Sequence, residues 1–506
     1  MTAPIVATTG GKVRGVEIDD GIVTWRGIPY AAAPLGDLRL RPPQPAEPWN
    51  GTRDATRFGA PAVQPPLGFT GDGLNVLAEG LGGQPHGPLP EPSEDCLFVN
   101  VTAPVDATRR PVLVWIHGGG YQLGHGCDIA GDGAGFARSH GIVVVTFNYR
   151  LGALGFLSVS GEKPTGALGL HDQIAALRWV RDNIAAFGGD PSRVTVYGLS
   201  AGAKSVANLL ASPLTGGLIH QAASSSGGGE HVATPAQASS LAERFFRELG
   251  TGPDRIRQVR AEDILGAQDA IATGARATWL WRPAIEGQAL TARPIDAIAA
   301  GAAQGIPLLA QTCVDECFIF QLAAPDATDQ AERVLEQYFG PVGRDEILTM
   351  YATADTELAH DPGKLRLRVM TDERYAVPTA RLAAAQAAHA PVHLSRYDGP
   401  LTGLLPGVSS SDRPGAFHGT DGGAIWIGGN GVAGQLHDAW GNFVVVGTPA
   451  VDGLPAWPIC SGDRSATLVF DGSGSYLAEA PNAARHAAWD GRDWTSGMWW
   501  SFDGVL

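Results

Sequence analysis

The sequence predicts an α/β fold: a mostly parallel central sheet flanked by helices and carrying long insertions. Three observations predict it. Short apolar runs are bounded by Gly or polar residues, stretches with helical spacing lie between them, and one β-rich run passes through a tight Gly-Ser-Gly turn straight into a helix-compatible run. Strands buried on both faces read as continuous apolar runs, as they do where helices cover both sides of a parallel sheet.

Taken in order, Pro111 to Ile116 and Gly141 to Phe147 are the first such runs, and each ends where a loop begins. From Leu170 to Ile184 the apolar positions Leu170, Ile174, Leu177 and Ile184 recur at helical spacing, with Asp172, Arg178, Arg181 and Asp182 on other faces. Arg193 to Tyr197 is β-branched and aromatic, and after Gly198-Leu199-Ser200-Ala201-Gly202 a second helix is predicted through Val206, Leu209 and Leu210. Ile306 to Ala310, Pro391 to Tyr397 and Ala466 to Phe470 are further predicted strands. No internal repeat or linker divides the chain, so residues 1–506 are expected to form a single domain, with the Gly/Pro-rich stretch Pro65 to Pro92 as a surface loop.

Composition excludes several classes. The net charge of -15 arises from 51 acidic and 36 basic residues, and the basic residues are scattered, which argues against a nucleic-acid partner. The opening Met1-Thr2-Ala3-Pro4-Ile5-Val6 carries no basic n-region or apolar h-region, and no apolar stretch is long enough to span a bilayer. A cytoplasmic protein without a membrane partner is expected. Five cysteines, an odd number thinly spread, do not make a disulfide framework. Cys313 and Cys317 have no second pair or nearby His to complete a zinc site, so buried free thiols are expected and no metal is predicted.

A serine hydroxyl is a weak nucleophile at neutral pH and needs a rigid support, an adjacent base and donors for the developing oxyanion. Gly198 to Gly202 supplies the support, because a G-x-S-x-G turn between strand and helix holds its serine exposed in strained backbone geometry. His117-Gly118-Gly119-Gly120 follows the strand at 111–116, and glycines there let backbone N–H groups approach a ligand closely. The amides of Gly119, Gly120 and Ala201 are the predicted oxyanion hole around Ser200.

These two motifs resemble those of the type B carboxylesterase and cholinesterase family, and the resemblance covers nearly the whole chain. It extends to Trp25-Arg26-Gly27-Ile28-Pro29-Tyr30-Ala31, Ser93-Glu94-Asp95-Cys96-Leu97, Asn148-Tyr149-Arg150-Leu151-Gly152, Gly169-Leu170-His171-Asp172-Gln173, Phe187-Gly188-Gly189-Asp190-Pro191, and Trp440 through Trp457-Pro458. The resemblance implies an α/β-hydrolase fold and a carboxylesterase that acts on small-molecule esters without a cofactor. Val314-Asp315-Glu316-Cys317 resembles the segment whose glutamate orients the histidine, which makes Glu316 the acid and Asp315 the fallback. Gly415-Ala416-Phe417-His418-Gly419-Thr420-Asp421 resembles the loop carrying the base, which makes His418 the histidine and leaves His393 and His437 as alternatives. The alternative activity is hydrolysis of carbamates or activated amides by the same triad. A binding relative without catalysis is disfavoured, since such proteins lose the nucleophile or the base.

Departures from the family pattern carry their own expectations. Leu199 stands where a glutamate is usual and Ala167 where an asparagine is common, and from the Leu199 change, which removes a carboxylate near the histidine, an unusual pH profile or substrate preference is expected. Ala62 replaces the cysteine that pairs, in secreted relatives, with the one equivalent to Cys96. Trp279 and Trp281 precede a segment resembling the one that closes the acyl pocket, and are expected either to narrow that pocket or simply to pack. The loop between Ala62 and Cys96 has Phe69 as its sole aromatic residue, which points away from choline esters. Lys204, one turn beyond Ser200, is expected to extend to solvent.

Overall fold

Runs of valine, isoleucine and aromatic residues form the centre of the fold. In this computed structural model, which describes residues 4–19, 21–65, 90–127, 133–159, 165–271, 280–323, 330–399, 415–462 and 466–497, the strands are as follows. The first half of the chain supplies β1 (Ile5–Ala7), β2 (Lys12–Arg14), β3 (Val16–Asp19), β4 (Ile22–Pro29), β5 (Thr52–Asp54), β6 (Phe98–Pro104), β7 (Arg110–Ile116), β8 (Val143–Phe147) and β9 (Gly189–Leu199). The second half adds β10 (Gln221–Ser225), β11 (Leu308–Cys313), β12 (Val392–Tyr397), β13 (Thr467–Phe470) and β14 (Tyr476–Ala478).

Eleven of them form one sheet in the order β14-β13-β12-β11-β10-β9-β7-β8-β6-β4-β3. Pairing is parallel from β8 through β13 and antiparallel at both margins. The remaining β1, β2 and β5 make a small separate sheet. This is the α/β-hydrolase architecture that the sequence predicts.

Period-two alternation divides the core into two layers. Val112, Val114 and Ile116 of β7 pack on one side of the sheet while Leu113 and Trp115 pack on the other, and in β8 Val143, Val145 and Phe147 oppose Val144. The helices Leu168–Asn183 and Ala201–Ala211 cover the first side. The helices Ala134–His140 and Val432–Val446 cover the second through Phe136, Leu436, Trp440 and Phe443. Asp172, on the first of these helices, is fully buried, because Arg150 meets it through Nε at 2.8 Å and Nη2 at 2.7 Å.

The predicted strands at 111–116, 141–147, 193–197, 306–310, 391–397 and 466–470 correspond to β7, β8, β9, β11, β12 and β13, with ends displaced by up to a few residues. β4 was not predicted, because Gly27 (φ 67°) interrupts its apolar pattern at a register shift between Trp25 and Ile28. β10 was not predicted either: its sequence Gln-Ala-Ala-Ser-Ser carries no β-branched residue, yet it lies fully paired between β9 and β11. All five cysteines are free and buried. Of the predicted loop at 65–92, residues 66–89, including Phe69, lie outside the described residues. Among the described residues no helix is long and apolar enough to cross a membrane.

Candidate active site

β9 sits near the middle of the sheet, and its last residue, Leu199, leads through Ser200 into the helix Ala201–Ala211. Ser200 adopts φ 59° and ψ -119°, a conformation that costs a non-glycine residue about 1–3 kcal/mol. The turn is held by the Ser200 amide donating to Ser225 O at 3.0 Å and by the Lys204 amide donating to Ser200 O at 2.9 Å. Packing of the helix outweighs the strain, since all eleven of its residues are buried and Val206, Leu209 and Leu210 alone contribute about 1.5–3 kcal/mol each. The flanking glycines have a steric cause. A Cβ on Gly202 would lie 2.0 Å from Ile116 O, and one on Gly198 would lie 2.2 Å from the Gly202 carbonyl carbon.

The acid and the base come from the same edge of the sheet. Glu316 follows β11, and His418 lies in the excursion after β12, so both stand where parallel strands end and the crevice of an open α/β sheet forms. His418 Nδ1 lies 2.6 Å from Glu316 Oε2, and the two backbones are also joined by the His418 amide donating to Glu316 O at 3.2 Å. Glu316 is fully buried, with Oε1 accepting from Ser226 Oγ at 2.6 Å and from the Cys313 amide at 2.7 Å. A proton held on Nδ1 by this carboxylate leaves the Nε2 lone pair for a hydroxyl. Asp315 instead pairs with Arg368 at 2.8 Å and accepts from the Gly415 amide, which pins the His418 loop.

The alternative histidines lie elsewhere. His393 is in β12 edge-on to Trp457, and His437 bonds Ile425 O and Ser139 Oγ.

The glycine loop meets the turn at Gly118. A Cβ on Gly118 would lie 3.3 Å from Ser200 Cβ, and Gly119 (φ 97°) and Gly120 (φ 62°) both take left-handed backbone. His117 anchors the loop by stacking on Tyr149 at 4.3 Å, while the Tyr149 hydroxyl donates to His117 O at 2.9 Å. Burial pushes His117 down to about 3, which keeps it neutral. Ala201 is the first residue of its helix, where an amide has no acceptor within the helix.

Several residues at this centre were not identified from the sequence. Tyr375 stacks on the His418 ring at 4.5 Å. Phe320 flanks the imidazole at 5.5 Å. Asp421, three residues past His418, is fully buried, accepts from Gln311 Nε2 at 2.7 Å, and has its carboxyl pushed up by burial. Only Asp421 had a usable cue, its place in the Gly415–Asp421 motif.

Lys204 departs from the expectation of solvent exposure. It is 3% exposed, with Nζ 4.6 Å from the centre of the Tyr375 ring, because its helix has no face on the surface. Burial pushes Lys204 down to about 7. Trp281 is fully buried and packs edge-on against Phe245 at 5.8 Å, whereas Trp279 lies outside the described residues. Leu199 is buried in the apolar layer with Trp115, Tyr197 and Trp426.

A profile described as the carboxylesterase family matches residues 2–489. The chain is 36% identical over 490 residues to the para-nitrobenzyl esterase of Bacillus subtilis (strain 168), covering 93% of this chain and 95% of that one. It is 34% identical over 508 residues to a phenmedipham hydrolase of Pseudarthrobacter oxydans, covering 94% and 97%. Among solved structures, a PNB esterase superposes with a TM-score of 0.81 at 34% identity, covering 96% of this chain and all of the other.

Proposed function

This chain belongs to the carboxylesterase family and is a serine hydrolase of carboxylic esters, and from that premise we propose that Ser200, His418 and Glu316 carry the reaction. His418 Nε2 takes the Ser200 proton as Oγ attacks the ester carbonyl. The tetrahedral oxyanion is held by the amides of Gly119, Gly120 and Ala201, each such donor being worth about 2.7–4 kcal/mol. Collapse expels the alcohol, which leaves with the proton from His418, and water then repeats the sequence on the acyl-enzyme. Glu316 fixes the imidazole tautomer and stabilises the imidazolium.

The 2.6 Å contact between His418 and Glu316, whose other carboxylate oxygen accepts from Ser226 next to the residue that holds the strained Ser200 amide, is the observation that carries this reading. The family match across 2–489 supports treating residues 1–506 as one catalytic unit. A fluorophosphonate probe tests it: the expected result is a single adduct on Ser200, lost in Ser200→Ala together with hydrolysis of aryl esters. Labelling elsewhere, or an active Ser200→Ala, overturns the assignment. An aryl carbamate assayed beside the esters measures the alternative leaving-group chemistry, since it needs the same three side chains.

A further inference from the structure

We propose that His140, His437 and Asp438 form a metal site, separate from the residues of ester hydrolysis, that takes a divalent cation of the Zn²⁺ class through two imidazole nitrogens and one carboxylate oxygen.

The first argument is geometry. His140 ends the helix Ala134–His140, and His437 and Asp438 lie on Val432–Val446, which packs beside it over the second face of the sheet. One ligand atom from each of the three lies within 4.8 Å of the others, and no other such group occurs among the described residues. His140 Nε2 and Asp438 Oδ1 are 3.6 Å apart, too far for a hydrogen bond. Two ligands on a tetrahedral Zn²⁺, at bonds of about 2.0–2.2 Å, stand about 3.3–3.6 Å apart. Asp438 is 51% exposed, so the site opens to solvent and its carboxylate can turn to close the remaining gap. Calcium and magnesium favour oxygen ligands, whereas imidazole suits zinc and its transition-metal neighbours.

The second argument is how the rings are held. His437 Nδ1 lies 2.7 Å from Ile425 O, which only accepts, so Nδ1 carries the hydrogen and the neutral ring presents its lone pair at Nε2. A carbonyl behind the ring is a common support of a ligating histidine. Phe136 stacks on the same ring at 4.5 Å. His140 lies flat on Gly441: a Cβ there would stand 2.3 Å from Nε2 and 2.4 Å from both Cδ2 and Cε1. Those near-equal distances put Gly441 over the ring face, clear of the lone pair in the ring plane.

The third argument is a shortage of hydrogens. Ser139 Oγ lies 2.8 Å from Gly135 O, 2.7 Å from His437 Nε2 and 2.7 Å from His140 Nδ1. One hydroxyl hydrogen cannot serve both Gly135 O and the neutral His437 Nε2, so one of these contacts sets two lone pairs together. A cation on His437 Nε2 takes the place of the hydroxyl there. The hydroxyl then donates to Gly135 O and accepts from Nδ1–H of His140, which leaves His140 Nε2 as a ligand facing Asp438.

Isothermal titration of ZnCl₂ into the chelator-stripped full chain is expected to show one saturable Zn²⁺ per chain, with MgCl₂ giving no binding at the same concentrations. Asp438→Asn and His140→Gln are each expected to weaken the Zn²⁺ affinity at least about 10-fold. Absence of saturable Zn²⁺ binding overturns the proposal, as does equal binding of Mg²⁺. An affinity unchanged in either variant also overturns it, by placing the cation on other side chains. Should His140→Gln fail to fold, Asp438→Asn decides alone, since its side chain is half exposed.

Discussion

Ser200 is held where a side chain is unwelcome, and its φ of 59° costs about 1–3 kcal/mol. Replacing it with glycine removes the strain but adds about 0.4–1 kcal/mol of unfolded-state entropy to be lost. Ser200→Gly is therefore expected to gain about 1 kcal/mol of stability by denaturant titration while losing ester turnover; a loss of stability would show that the turn is relaxed. Glu316→Gln keeps the shape but not the charge facing His418, and kcat is expected to fall about 10³- to 10⁴-fold with KM little changed. Ser226 acts through Glu316, donating to Oε1 at 2.6 Å, so Ser226→Ala is expected to lower kcat about 10-fold and leave KM in place. An equal rise in KM would argue against a positioning role.

The strand, turn and helix around Ser200 depend on close backbone approach. Gly202→Ala puts a methyl 2.0 Å from Ile116 O, against a rigid strand and not a movable side chain. A cost of about 3 kcal/mol or more is expected in chemical denaturation, against under 1 kcal/mol for an exposed glycine such as Gly216, which has nothing within 4 Å. Where an element's apolar pattern is continuous, as in β7 and β8, the sequence alone identifies it. Where a strand is built of small residues, as in β10, its identity comes from the neighbours it pairs with, and no local pattern announces it. β4 is hidden for the opposite reason: its bulge at Gly27, whose amide donates to Asn100 Oδ1 at 2.9 Å, breaks the alternation that marks a strand.

Across the fold, burial of neutral histidines makes stability depend on pH. His117 is held down to about 3, against an ordinary value of 6.5 in the unfolded chain. Below about pH 6.5 the unfolded state binds a proton that the folded state refuses, so stability falls as pH drops toward 4 and is unaffected by this group above about pH 7. The slope approaches about 1.4 kcal/mol per pH unit for one such histidine. His117→Phe is expected to flatten that slope in guanidinium titrations at pH 7, 6 and 5; parallel curves for the two proteins would contradict it.

The sequence by itself determined the sheet's parallel strands other than β10, the nucleophile turn, the glycine loop and, through family resemblance, the acid and the histidine. These rest on short-range chemistry, since a turn or a glycine run needs its residues adjacent in the chain. Only the tertiary structure decided that Tyr375 stacks on His418, that Ser226 steadies Glu316, and that Lys204 is buried against the Tyr375 ring. Those contacts join segments up to 171 positions apart, and whether a lysine meets water or a phenol ring is settled by what packs over its helix, which one-dimensional spacing does not encode.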